Sequence, residues 1–512
     1  MPEPALTTVA DAPTDSTTAH DPRRWLILGI IAIAQLMIVL DSSIMNIALP
    51  SAAKDLDIAP ADLQWAITSY TLAFGGLLLL GGRIADYLGR KTTFIIGLVG
   101  FAAASGLGGA AATEALLFGA RALQGAFAAL LAPAALALIT VTFTEGRERA
   151  KAFGVFGAIS GGGAAIGLLL GGVLTEYLDW RWCLFVNLPI ALVTGVLAIR
   201  YLRESKAPGD TKLDIPGAIL ASVGLATLVY GFTEAAKQEV GADGTLAAVG
   251  WTDPTVLGFL GFAVLCLVAF VVVETRVKNP LLPMRVALDR NRGGSYLVFL
   301  LVGAGLFSMF LFMTLYFQNV LGYTPLKAGF AFLPFSAGII LMAGVVAQLL
   351  PRVGPKPLML VGLALATTGM LLLLRTTPES SYATTVLPGI VVMSLGMAAV
   401  FIPASSTALV GVGKHDAGVA SALLTTSQQV GGSLGLALLS TFSISATASK
   451  LSDLTAAGAD ASARATLATA QVAGFHVAYL GGAILLAMGF VAALTLITAK
   501  KDDLPAEAAV AA

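Results

Sequence analysis

Two opposite charges stand in stretches otherwise fit for lipid. The run from Trp25 to Pro50, WLILGIIAIAQLMIVLDSSIMNIALP, is long enough to cross a bilayer with some tilt and carries a single charged residue, Asp41. A carboxylate facing hydrocarbon is costly, so an acid in such a segment faces a bundle interior, a partner or water, and membrane acids commonly mark ion pathways. The run Leu117 to Gly125, LFGARALQG, holds the opposite charge, Arg121. At about 1.5 Å rise per residue, Asp41 and Arg121 lie roughly 9–14 Å below the same surface. An ion pair would lower the desolvation cost of each, and a proton on Asp41 would break it, which is the basis of a proton-linked switch. Two structural readings stand beside that one: Asp41 tethering its helix end through Ser42, Ser43 and Asn46, or holding Arg121 as a static pair.

Other stretches offer less chemistry. In Gly82-Arg83-Ile84-Ala85-Asp86-Tyr87-Leu88-Gly89-Arg90-Lys91-Thr92, Gly89 suits a tight turn and Asp86 can pair with Arg90, while the basic residues hold the turn at a membrane surface. The small residues Gly161, Gly162, Gly163, Gly167, Gly171 and Gly172 form a comb that permits close helix approach. Asn46, Trp65, Tyr70, Phe310, Phe317 and Gln428 are candidates to line a substrate cavity, although membrane aromatics also pack or anchor at interfaces. Glu234 and Glu274 stand at expected helix ends and read as solvated charge, and His476 reads as a helix-end residue. The three histidines, His20, His415 and His476, are far apart in the expected topology, which gives neither a metal site nor a catalytic cluster. No GxxxxGK[ST] phosphate-binding loop is present, so no nucleotide or other cofactor is expected.

These residues need a membrane scaffold. The 512-residue chain is 57% hydrophobic and only 12% charged, half the charged fraction of a soluble domain. Its 30 basic and 30 acidic residues balance, which argues against nucleic acid as a partner. Cys183 and Cys266 fall inside apolar runs and behave as small hydrophobes. After the first helix, 25–50, apolar runs predict helices near 62–82, 92–112, 115–142, 150–175, 182–202, 214–235, 253–274, 293–318, 326–350, 357–375, 383–411, 416–442 and 473–498, fourteen in all. Placing both termini in the cytoplasm puts most Lys and Arg there, as the positive-inside rule requires, and one missed helix would invert every later loop. Residues 1–22 and 501–512 read as cytoplasmic tails, the first disordered, and Ser443 to Gly474 as the one sizeable outer loop, whose Ala, Ser and Thr content suggests short amphipathic helix or disorder.

The halves echo each other. Asp86 to Lys91 has a degenerate counterpart in Arg352-Val353-Gly354-Pro355-Lys356, and the glycine comb has a weaker one in Gly431, Gly432 and Gly435. Parallel repeats of six helices match the second helix to the tenth and the fifth to the thirteenth, leaving helices seven and eight as an insertion. The expected division is 23–205 for the first half, 206–280 for the insertion and 281–500 for the second half.

GRIADYLGRK resembles the signature loop of the major facilitator superfamily, with its Gly, Asp and Arg positions filled. By that resemblance Arg83, Asp86, Gly89, Arg90 and Lys91 form a gating loop that locks the halves together on the cytoplasmic side when the carrier faces outward. LFGARALQG is similar to the family's arginine motif, and Gly163, Gly167, Gly171 and Gly172 match its antiporter motif, with Leu168 where Pro is usual. Leu40 to Pro50, Trp180-Arg181-Trp182, Phe185-Val186-Asn187-Leu188-Pro189 and Ser427 to Gly432 resemble the fourteen-helix drug:proton antiporter-2 branch. The resemblance implies an all-α integral membrane protein with the major facilitator fold, two pseudo-symmetric six-helix halves plus two extra helices. It implies a monomeric exporter of small hydrophobic or cationic drugs in the bacterial plasma membrane, with the proton as coupling ion and Asp41 and Arg121 coupling it. A carrier of a specific metabolite on the same fold, importer or exporter, is the alternative.

Overall fold

The computed structural model describes residues 22–143, 145–206, 214–240, 246–277, 280–412 and 417–503. The expected tails therefore lie almost entirely outside the described residues, as do His20 and His415. Among the described residues, fourteen helices are long and apolar enough to cross a membrane. They are α1 (Arg24–Asp55), α2 (Trp65–Leu88), α3 (Arg90–Gly109), α4 (Glu114–Thr142), α5 (Gly146–Tyr177), α6 (Trp182–Tyr201), α7 (Ile215–Ala236), α8 (Pro254–Arg276), α9 (Arg290–Val320), α10 (Pro325–Val353), α11 (Pro355–Arg375), α12 (Tyr382–Ala408), α13 (Ala417–Ala456) and α14 (Arg464–Leu496). In lipid every backbone polar group must bond within its own segment, which is why nearly the whole chain is helical.

The packing repeats. In the first half α1 lies against α5 and α6, and α4 against α2 and α3; in the second α9 lies against α13 and α14, and α12 against α10 and α11. The halves meet along two related seams, α5 with α10 and α2 with α13. The inserted α7 packs on the α2–α13 seam and carries α8 on its far side. The α2–α3 and α10–α11 turns match in detail: Gly89 and Gly354 both take positive φ, 114° and 88°, which glycine adopts without the Cβ penalty. Lys91 Nζ then donates to the Ile199 carbonyl of α6 at 2.8 Å and Lys356 Nζ to the Leu494 carbonyl of α14 at 2.7 Å. In the first turn Glu204 caps α3, accepting from the Lys91 and Thr92 amides at 3.1 and 3.0 Å. Partial burial pushes the Glu204 carboxyl up, but the hydrogen bonds from Thr92, Ser205 and Lys91 outweigh it and hold it below the usual carboxylate range.

Three expectations change. Ser443 to Gly474 is neither disordered nor a separate short helix: α13 runs on to Ala456 and α14 begins at Arg464, leaving only 457–463 between them. Its Ala, Ser and Thr content suits a helix because the hydroxyls bond back along it, Ser445 to the Thr441 carbonyl at 3.0 Å, Thr447 to Ser443 at 2.8 Å and Thr469 to Ala465 at 2.8 Å. His476 consequently lies well inside α14, where its ring nitrogen is 2.8 Å from the Thr376 carbonyl at the end of α11. Between α7 and α8 the chain forms a short antiparallel hairpin, Gln238–Val240 with Leu246–Ala248, which the hydropathy pattern gave no reason to expect.

Helix crossings rest on glycines whose missing Cβ admits a neighbouring backbone. At Gly431 of α13 an added Cβ would overlap the Leu300 backbone of α9, whereas at Gly119 of α4 nothing lies within 4 Å. Gly431→Leu should therefore cost about 1–3 kcal/mol through overpacking, while Gly119→Ala should be neutral or stabilising by up to about 1 kcal/mol. Thermal unfolding of the two purified variants in detergent checks the contrast; equal midpoints would refute it.

Candidate functional site

The two halves separate around one large cavity of about 2050 Å³. It reaches from Ser42, Asn46 and Tyr70 near mid-membrane to Arg83, Asp86, Arg90 and Arg285 at the end of the bundle that carries the α2–α3 turn. The opposite end is shut. There Gln318 Nε2 donates to the Ile47 carbonyl at 2.9 Å and the Leu326 amide to Glu176 at 3.0 Å, both between halves. Gly172 of α5 faces the Leu326 backbone and Gly329 of α10 the Leu168 carbonyl, so closely that a Cβ at either would meet main-chain atoms at 2.7 Å. The apolar core follows this asymmetry, since the outer parts of α1, α2 and α6 join the second half's core while the rest of the first half forms its own. Access to the cavity is from the turn-bearing end.

The cavity wall is mixed. Phe74, Phe307, Phe310, Phe335 and Phe401 supply aromatic surface, and Gln35, Asn46, Gln428 and Gln429 supply polar groups. Of the residues expected to line it, Asn46, Tyr70, Phe310 and Gln428 do. Trp65 and Phe317 do not. Trp65 is turned toward the inserted α7, with its ring 6.4 Å from that of Tyr230. Phe317 is fully buried in the shut end, stacked on Tyr323 at 5.7 Å and edge-on to Phe332 at 5.3 Å. Aromatics near a helix end served sealing and packing here, a distinction that hydropathy does not encode.

Behind the wall lies the charge pair. Asp41 is 0% and Arg121 1% exposed, and Arg121 Nη1 donates to Asp41 Oδ2 at 2.5 Å. Asp41 Oδ1 accepts from Gln124 Nε2 and Asn187 Nδ2, each at 2.9 Å. Arg121 also donates to the Ala66 carbonyl at 3.1 Å and to Gln124 Oε1 at 2.9 Å, and its guanidinium lies 4.4 Å from the centre of the Tyr70 ring. Four helices, α1, α2, α4 and α6, thus converge on one ion pair, and the Tyr70 ring, which lines the cavity, covers the guanidinium. The Tyr70 hydroxyl has no hydrogen-bond partner. Gln124 and Asn187 were within quoted motifs, and their signal was a polar amide in an apolar run; what the sequence could not show is that both point at Asp41.

The glycine comb packs α5 onto the helix that carries the acid. A Cβ on Gly163 would meet Val39 at 3.0 Å and one on Gly171 would meet Ile44 at 2.9 Å, while Gly167 faces the Ser43 hydroxyl and the Leu40 carbonyl. Gly162 has open space around it. With Leu168 in place of proline, α5 runs unbroken from Gly146 to Tyr177. At the α2–α3 turn Arg83 Nη2 reaches the Pro280 carbonyl at 3.5 Å, and Asp86 and Arg90 are 3.7 Å apart along the helix–turn junction. One acid expected to be solvated is not: Glu274 is 3% exposed. Glu234 pairs with Lys237 at 2.8 Å on the outer side of α7. Among the described residues no group of histidines, cysteines or acids is arranged to hold a metal.

The Major Facilitator Superfamily model matches residues 31–436. A puromycin resistance protein of Streptomyces alboniger is 50% identical over 451 residues, 87% of each chain. A cephamycin export protein of Amycolatopsis lactamdurans is 39% identical over 89% of this chain and 92% of its own. Among solved structures, a bacterial homologue of the lysosomal transporter Spinster, inward-facing and unoccupied, aligns with a TM-score of 0.65 at 15% identity, over 95% of this chain and 100% of its own.

A buried pair is costly to break from one side. Arg121→Gln alone strands the Asp41 carboxylate, and Asp41→Asn alone strands the guanidinium, at about 3–5 kcal/mol for a fully uncompensated charge. The double variant removes both charges and should recover folded protein over either single change. Fluorescence-detected size-exclusion of membrane extracts measures this; a double variant no more abundant than the poorer single variant would contradict the origin of the penalty in an orphaned charge.

Proposed function

The chain belongs to the Major Facilitator Superfamily, and from that premise we propose that it exports hydrophobic, cationic drugs or antibiotics from the cytoplasm in exchange for protons, by alternating access. The observation that carries the reading is the sealed Asp41–Arg121 pair set one aromatic ring behind a large, largely apolar cavity. The named functions of the relatives, puromycin resistance and cephamycin export, support drug efflux. The aromatic faces lining the cavity favour a lipophilic cation, which gains cation–π attraction once desolvated. The proposal includes a multi-pass monomer in a bacterial plasma membrane with both termini cytoplasmic, no cofactor, and the proton as coupling ion.

Chemically, Asp41 accepts three hydrogen bonds as a carboxylate. Adding a proton removes the negative charge that holds Arg121 and leaves the guanidinium to its remaining acceptors, the Ala66 carbonyl and Gln124, and to the Tyr70 face. Because Arg121 joins α4 to α2 and Asp41 joins α1 to α6, protonation changes how these helices bear on one another. Cargo and proton do not meet on one carboxylate in this state, since Asp41 does not line the cavity; they communicate through Tyr70 and α1. The proton binds the two access states differently, and that differential affinity drives the cycle. The gating loop would close the open end in the outward state, with Asp86 and Arg83 leaving their present partners to bridge the halves.

Asp41→Asn should abolish pH-gradient-driven efflux of a cationic dye from reconstituted vesicles while dye affinity stays within a few-fold of the parent, because the side chain does not touch the cavity. Undiminished coupling in this variant would remove Asp41 from the mechanism, and dye moving with the proton gradient instead of against it would make the protein an importer. Tyr70→Phe, which deletes a hydroxyl without a partner, should leave flux nearly intact, whereas Tyr70→Ala should open the pair to cavity water and lower the flux at least ten-fold, a loss of about 1.4 kcal/mol in the barrier. Equal flux in the two Tyr70 variants would exclude a role for the ring.

A further inference from the structure

A second pair of carboxyl groups lies outside the machinery just described. Asp214 caps the inserted helix α7, its Oδ1 accepting from the Gly217 amide at 2.9 Å. Glu274 stands in the last turn of α8 and its Oε2 accepts from the Leu282 amide at 2.9 Å. Both residues are 3% exposed, so the expectation of a solvated Glu274 fails, and their second oxygens, Asp214 Oδ2 and Glu274 Oε1, have no hydrogen-bond partner. The two orphan oxygens converge on one point: a Cβ built on Gly217 would be 2.6 Å from the first and 2.8 Å from the second. That shared point places the two carboxyl groups against each other over Gly217. Two acceptors cannot bond without a hydrogen between them, and like charges at this separation in a buried site cannot both persist. A single proton satisfies both oxygens at once.

We propose that Asp214 and Glu274 are a second proton-binding site, a carboxylic acid–carboxylate pair that holds one proton at the mouth of the central cavity. Glu274 lines that mouth, so cavity water exchanges the proton: it leaves as hydronium or to a water base, and the pair becomes doubly anionic. The site is tied to the gate. Glu274 holds the Leu282 amide, and two residues earlier in the same linker the Pro280 carbonyl accepts from Arg83 of the gating loop. Deprotonation drives the carboxyls apart and loosens α7 from α8 where the linker is anchored. Among the described residues, the charged groups that line the same end of the cavity are Arg83 and Asp86 of α2, Arg90 of α3 and Arg285 of the linker; Arg83 is engaged with the Pro280 carbonyl and Asp86 lies 3.7 Å from Arg90. Glycine is required at 217 because any side chain would occupy the position where the proton is shared.

The inference does not rest on Asp41 as the proton carrier, and the test separates them. Infrared spectra of the purified full-length transporter in detergent, titrated in pH, should show the carbonyl band of a protonated carboxylic acid at neutral pH that disappears in alkali, in the parent and in Asp41→Asn alike. Glu274→Gln and Asp214→Asn should each lose that band and release about one proton fewer per chain over the same pH range, as expected of a pair that titrates as a unit. Glu274→Gln keeps a donor for Asp214 and should therefore fold, and if it does not, Asp214→Asn reads the same band. Absence of a protonated-carboxyl band from the parent at neutral pH, or its persistence in both variants, would overturn the proposal. Loss of dye export in Asp41→Asn with the band intact would leave the two sites independent, as inferred; loss of the band in Asp41→Asn would assign it to Asp41 and overturn the second site.

Discussion

A carboxylate without exposure to water must be supplied with donors by the protein, and Asp41 obtains them from three side chains on two other helices, Arg121 and Gln124 of α4 and Asn187 of α6. Arg121 extends the arrangement to α2 through the Ala66 carbonyl. In a bilayer there is no apolar driving force between helices, so packing and interhelical hydrogen bonds decide which helices neighbour which. The polar cluster therefore does two things at once. It specifies the arrangement of α1, α2, α4 and α6, and it ties that arrangement to one buried carboxylate.

Around this fixed point the two halves need to move, and the seams are built for it. Where the halves meet at the shut end, an apolar side-chain core is joined by close glycine-to-main-chain contacts, Gly172 against Leu326 and Gly329 against Leu168, and by the Gln318 and Glu176 hydrogen bonds. Small residues let backbones approach closely without interlocking long side chains, so a seam of this kind closes tightly and still releases. The α2–α13 seam is covered by α7, whose Gln64–Thr233 and Phe232–Thr441 hydrogen bonds at 2.9 and 2.8 Å reach both halves near one end. The inserted pair therefore follows the seam between the halves and contributes to the cavity only at its mouth, through Glu274, Thr275 and Val277.

The largest departures from the sequence reading share one cause. Hydropathy measures how a residue partitions on average, whereas burial at a helix end depends on what another segment places over it. Glu274 was expected in water and is covered by α7 and the linker; Trp65 and Phe317 were expected in the cavity and are taken up by packing against α7 and in the shut end. The polar segment Ser443 to Gly474, expected as short amphipathic helix or disorder, is instead taken up by extensions of the two long helices, because Ser and Thr hydroxyls bond back to their own helix and the close α13–α14 contact at Gly474 extends both partners past the apolar runs.

By itself the sequence determined the number of the spans, the pairing of second with tenth and fifth with thirteenth helices, and the two intramembrane charges, since each of these follows from local hydropathy, glycine placement or the cost of charge in lipid. It also placed Asp41 and Arg121 at one depth. Only the tertiary structure decided that Gln124 and Asn187 complete the donor set, that Tyr70 separates it from the cavity, that the open end is the one bearing the α2–α3 turn, and that Asp214 meets Glu274 across Gly217. Rotation of each helix about its axis and contacts between residues fifty or more positions apart fix those facts, and neither is written in the periodicity of any single segment.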